Sequence, residues 1–132
     1  MSIGKSATPL GKVEGLGSAQ HGGGHWLEER FSSVALVLLS LWLLFSLAML
    51  PAFDLKTIRE WLSSGWAAVP MALFIIAAFR HGIDGMKVFV DDYVHDDGNR
   101  VAIHFFLSMA GIGGAAAALF ALAKITFGAP IA

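Results

Sequence analysis

Cysteine is absent from the 132 residues of this chain. It therefore offers no thiolate to an iron–sulfur cluster, no attachment point for a c-type haem and no half of a disulfide. A redox centre here requires histidine ligation or non-covalent binding. Charge is also scarce: 14% of residues are Asp, Glu, Lys or Arg, against about 25% in soluble domains. The formal net charge is −1, so no basic excess points to nucleic acid, and no nucleic-acid motif occurs. No G-x-G-x-x-G run provides a dinucleotide site. The segment HGGGH (His21 to His25) has an esterase-like look, but no G-x-S-x-G nucleophile elbow accompanies it. The first thirty residues hold seven glycines and no apolar run of signal-peptide length, which argues against a cleaved secretory leader.

What the chain does have is apolar surface. Hydrophobic residues make up 56% of it and its mean hydropathy is +0.68, values of an integral membrane protein. Phe31 to Leu50 is an uncharged run, FSSVALVLLSLWLLFSLAML, stopped by Pro51. About twenty apolar residues cross a bilayer as a helix. A second span is expected from about Trp66 to Val90, flanked by the interfacial aromatics Trp66 and Tyr93. A third runs from Val101 to Ala123. The expected architecture is all-α, with residues 1–30 as a flexible tail and 31–132 as a three-helix membrane unit (spans about 31–50, 66–90 and 101–123). Between the first two spans, DLKTIREWLSS spaces Leu55, Ile58 and Leu62 as a short interfacial helix would, and a solvated loop fits the same residues. The third span contains GIGGAAAAL, whose pairs Gly111/Ala115 and Gly114/Ala118 suit close helix packing within the chain.

Orientation follows from basic residues. Lys5, Lys12, Arg30, Arg80, Lys87 and Arg100 belong to the tail and the second connection, while Lys56, Arg59 and Lys124 belong to the other side. The positive-inside rule then puts the N-terminus in the cytoplasm.

The second span carries the chemistry. Ala67 to Phe79 is too short to cross alone, so a full crossing extends through Arg80–Val90 and takes His81 into the hydrocarbon. An ionisable group there costs about 2.5–3.5 kcal/mol and marks a functional site by default. A neutral imidazole is cheaper and is a good iron ligand. At about 100° per residue, Gly85, Val88 and Asp92 return to within about 40° of His81. Gly85 leaves a gap beside the imidazole that a flat macrocycle would need. Asp92 lies about 16 Å further along the stripe, next to Tyr93. A histidine hydrogen-bonded between helices satisfies the same spacing, and Arg80, His81 and Asp84 also suit the proton relay of a small transport protein without haem.

The pattern H-x-x-x-G-M-x-x-x-x-x-D-Y-V, here His81, Gly85, Met86, Asp92, Tyr93 and Val94, resembles the second helix of the hydrophobic membrane-anchor subunit of succinate dehydrogenase, respiratory complex II. The upstream GLGSAQHGGGHWLEERFSSVAL, with Arg30, resembles that family's approach to its first helix. The resemblance implies a non-catalytic subunit of a heterotetramer, with a flavoprotein, an iron–sulfur protein and a second anchor, the cytochrome b subunit. It further implies haem b and ubiquinone as ligands. His81 would be an axial ligand of the haem iron, Arg30 would meet a haem propionate, Tyr93 would bond a quinone carbonyl, and Asp92 would support the quinone site. Arg80 and Asp84 make the surroundings of His81 more polar than the family pattern implies. The anchor of a quinol:fumarate reductase is a close variant. Among the other polar residues, His21 and His25 are expected to be tail residues and His104 a packing or interfacial one. Asp91, Asp96 and Asp97 are expected to form a solvated acidic loop.

Overall fold

The computed structural model describes Thr8, Pro9 and residues 22–128. Lys5, Lys12, His21 and most of the expected tail lie outside the described residues. Four helices make up the described chain: α1 (Gly22–Ala48), α2 (Leu55–Ser63), α3 (Gly65–Tyr93) and α4 (Asp97–Phe127). Three of them, α1, α3 and α4, are long and apolar enough to cross a membrane. At about 1.5 Å per residue, α3 and α4 exceed the roughly 30 Å of a hydrocarbon core. Their polar ends therefore reach the headgroup region.

Local chemistry sets the ends. The start of α1 at Gly22 falls inside the glycine-containing segment that precedes Phe31. Its last turn tightens, with Leu50 N–H donating to the Leu47 carbonyl at 3.1 Å. Pro51 then disfavours helical backbone at Leu50 and ends the run. Asp54 caps α2, its carboxylate accepting from Thr57 N–H at 2.8 Å. That bond and a second from the Thr57 hydroxyl hold the Asp54 carboxyl below the ordinary aspartate range. Ser64 serves two helices: its N–H closes α2 on the Trp61 carbonyl at 3.1 Å, and its hydroxyl accepts from Ala67 N–H to open α3. Asp96 caps α4 by accepting from Asn99 N–H at 2.8 Å. An N-cap oxygen of this kind satisfies one of the donors that the first helical turn leaves free.

Helix α3 packs against both α1 and α4, and α2 lies across α3 and α4. The connection left open as helix or loop is thus a helix, and two contacts pin it. Trp61 stacks on Trp42 of α1 with ring centroids 6.0 Å apart. The Thr126 hydroxyl lies 3.3 Å from the Leu62 carbonyl, in donating position. Its packed face is Ile58, Trp61 and Leu62, whereas Leu55 is exposed.

The α3–α4 seam is built on glycine. A Cβ added at Gly111 would run into the Ile83 side chain, and one at Gly114 would sit 2.6 Å from Phe79 Cε1. Ile83 and Phe79, one turn apart on α3, occupy the space that those glycines leave. Close approach of this kind gives van der Waals attraction, which must hold helices together where lipid removes the hydrophobic drive. The glycine pairs expected to serve packing within the chain do so. Few side chains are enclosed: the buried apolar residues among those described are Ala67, Ala68, Val90 and Leu122. Phe31, Leu44, Phe45, Phe106 and Phe120 face outward. Such a surface is stable only against lipid or other subunits.

Candidate functional site

His81 lies in the second half of α3, facing α1. A slab of about 30 Å centred on α3 takes in roughly residues 69–89 and so includes His81. The imidazole Nδ1 is 3.2 Å from the Ser32 hydroxyl on α1. Ser32 Oγ is in turn 2.9 Å from the Glu29 carbonyl, placed to donate to it. Ser33 Oγ donates to the same carbonyl at 2.7 Å. These contacts link the first turn of the apolar part of α1 to the middle of α3.

Beside them opens a cleft of about 300 Å³ between α1 and α3, lined by Glu29, Arg30, Ser33, His81, Asp84, Gly85 and Val88. Arg30 and His81, far apart in sequence, thus share one cavity. His81, Gly85 and Val88 are three members of the stripe expected from helical spacing. Asp92, the fourth, is exposed and does not line the cleft. A Cβ at Gly85 would meet nothing within 4 Å. Packing among the described residues therefore gives no reason for glycine there, in contrast to Gly111 and Gly114.

Asp84 comes between these residues. Its carboxylate Oδ2 is 3.0 Å from Arg80 Nε, and the aspartate side chain is the more enclosed partner. The two polar residues flanking the histidine therefore balance each other's charge one turn apart, which reduces the cost of carrying them towards the hydrocarbon. Arg30 is the one Lys or Arg lining the cleft among the described residues.

Asp92 and Tyr93 stand at the C-terminal end of α3. Tyr93 is 68% exposed, and its ring stacks on Phe89 with centroids 4.5 Å apart. Asp92 makes no ion pair with any described residue. These two residues form a separate locus, beyond the cleft and towards the α3–α4 turn.

That turn is more ordered than an acidic loop requires. Asp91 Oδ1 lies 3.8 Å from Arg100 Nε and 3.2 Å from His104 Nε2. The His104 contact is near enough for a charge interaction but lacks hydrogen-bond alignment. Asp97 pairs with Arg100, and Asp96 is a helix cap. His104 thus packs against the α3–α4 connection, and three aspartates expected to be merely solvated hold that connection together. The signal available for Asp96 was weaker: an aspartate opening the polar stretch DDGNR that precedes the apolar run from Val101.

The family model described as "Succinate dehydrogenase/Fumarate reductase transmembrane subunit" matches residues 4–123. The chain belongs to this family. A succinate dehydrogenase hydrophobic membrane anchor subunit of Paracoccus denitrificans is 33% identical over 92% of the chain and 94% of the relative. Its counterpart in Rickettsia bellii is 34% identical over 63% of the chain and 66% of the relative. That of Rickettsia conorii is 30% identical over 63% and 67%. With three membrane-length helices, membership in this family of succinate dehydrogenase and fumarate reductase transmembrane subunits makes the chain a multi-pass protein of the bacterial inner membrane.

Proposed function

We propose that this chain anchors a succinate:quinone oxidoreductase, docks its flavoprotein and iron–sulfur subunits, and forms haem b and ubiquinone sites with a second, cytochrome b anchor. The observation that carries this reading is the α1–α3 cleft, which joins Arg30 and His81 beside the unfilled space at Gly85. Haem b, when bound, supplies a one-electron carrier within the membrane. The residues present suit it. His81 would hold the iron through its imidazole, with the partner anchor supplying a second ligand. Gly85 leaves room for the macrocycle against α3. Arg30, a planar multi-donor, pairs with a propionate carboxylate. Asp84 lines the same cleft, and its negative charge would oppose the propionates were Arg80 not paired with it.

The quinone locus is the exposed end of α3, on the cytoplasmic side by the positive-inside count. Tyr93 donates its phenolic O–H to a quinone carbonyl. That bond strengthens as negative charge builds on the oxygen during reduction, which is the differential stabilisation that accelerates a step. Asp92, an acceptor when ionised and without an ion-pair partner among the described residues, pairs with a cationic group of the second anchor. This end of the molecule also docks the soluble subunits. No dehydrogenase chemistry resides on this chain. The anchor of a quinol:fumarate reductase is the second reading, since the family description covers both directions.

The test is the assembled complex isolated through this chain. It should carry a b-type spectrum and reduce ubiquinone with succinate. Tyr93→Phe should keep the haem and the oxidation of succinate by an artificial acceptor while slowing ubiquinone reduction, by at most about 10²–10³-fold. Wild-type ubiquinone reduction in Tyr93→Phe would remove the tyrosine from the site.

A further inference from the structure

The Ser32–His81 contact has a consequence that no part of the motif on α3 conveys. A neutral imidazole carries one proton, and the nitrogen that lacks it is the one able to bind a metal. Ser32 Oγ also has one proton. Two arrangements satisfy the 3.2 Å separation from His81 Nδ1. In the first, the hydroxyl donates to Nδ1, leaving the ring proton on Nε2. In the second, Nδ1–H donates to Oγ, and the hydroxyl donates to the Glu29 carbonyl, 2.9 Å away. That carbonyl also receives the Ser33 hydroxyl at 2.7 Å, so it is a crowded but reachable acceptor. The second arrangement alone frees the Nε2 lone pair.

We propose that Ser32 is the positioning residue of His81: its Oγ accepts a hydrogen bond from Nδ1–H, fixes the ring against α1 and keeps Nε2 available to the haem iron. This rests on the axial-ligand reading above. It extends that reading to a residue on a different helix, outside the stripe that the sequence marks. A hydrogen bond from the distal ring N–H raises the basicity of the ligating nitrogen and favours the ferric state. Loss of such an outer partner typically weakens metal holding by about 10–100-fold.

Ser32→Ala in the assembled complex should therefore raise the haem midpoint potential, change the ferric low-spin electron paramagnetic resonance g-values and speed haem loss. Ser32→Thr, which keeps an oxygen on Cβ, should restore all three. Ser108→Ala is the control, because Ser108 makes a similar own-helix bond, to the His104 carbonyl at 2.8 Å; it should leave the potential unchanged. Potential and g-values in Ser32→Ala that match wild type, while His81→Ala abolishes the haem signal, would overturn the role of Ser32 alone. If His81→Ala also left the signal intact, the ligand reading itself would fall. If Ser32→Ala does not assemble, Ser32→Thr decides: wild-type potential and g-values support the proposal, and shifted ones contradict it.

Discussion

Helix α3 presents two faces to its neighbours, and they use glycine for opposite purposes. Towards α4, Gly111 and Gly114 accept Ile83 and Phe79 from α3, so the two helices interlock at these points. Towards α1, Gly85 accepts nothing, and the space around it joins a cleft lined by Arg30, His81 and Asp84. One seam is apolar and interlocked at these two glycines, with an open apolar groove of about 430 Å³ beside Phe79, Ile83 and Gly111. The other is polar and incomplete, bridged by the Ser32–His81 contact. The contrast teaches that a glycine in a membrane helix has to be read with its neighbours. A filled gap is packing, and the unfilled gap at Gly85 beside ionisable groups is the space that the proposed haem would use.

The same substitution on each side should break this contrast most sharply. Gly111→Ala should cost about 1–3 kcal/mol, because the new methyl meets Ile83 and overpacks the seam. The expected result is a lower thermal midpoint and a lower yield of assembled complex. Gly85→Ala meets no atom of the described residues within 4 Å and gains helix propensity, so the chain itself should lose no stability. Equal destabilisation by the two variants would contradict the distinction. Gly85→Leu sharpens it: the bulky side chain should deplete haem from a complex that still assembles, as read by the ratio of haem absorbance to protein-bound flavin. Full haem occupancy in Gly85→Leu would mean that the gap is not used.

The two faces also differ in how far they could be read from the sequence. The three spans were legible because length and apolarity alone make a membrane helix. The stripe of His81, Gly85 and Val88 was legible because helical periodicity depends on one helix only. Asp84 fell just outside that stripe, about 60° from His81, and only the packing of α1 brings it into the cleft. Ser32 and Glu29 were not legible for the same reason: the contact of Ser32 with His81 and the place of Glu29 in the cleft depend on the register between two helices, which no local pattern encodes. The helix α2 stayed ambiguous because nine residues are too few for a stable isolated helix. Its formation depends on the Asp54 cap, the Ser64 joint and the Trp42–Trp61 stack.

That dependence gives the smallest expected effect. The Asp54 carboxyl is held low in the folded chain by the Thr57 N–H. Its contribution is therefore present above the ordinary aspartate value of about 3.9 and is lost as pH falls through the lowered folded value. Asp54→Ala should lower the thermal midpoint slightly at neutral pH, and the difference from wild type should vanish on acidification below the aspartate range. A difference that stays the same in acid would place the effect elsewhere than in the cap.

The claim on which the polar seam rests is that His81 ligates haem iron. The direct measurement is the dithionite-reduced minus oxidised spectrum of the intact complex carrying His81→Ala, with electron paramagnetic resonance of its ferric state. Retained assembly and succinate oxidation, with the b-type bands lost or the ferric signal converted from six-coordinate low spin, is the result expected. An unchanged b-type spectrum with wild-type g-values would contradict the account.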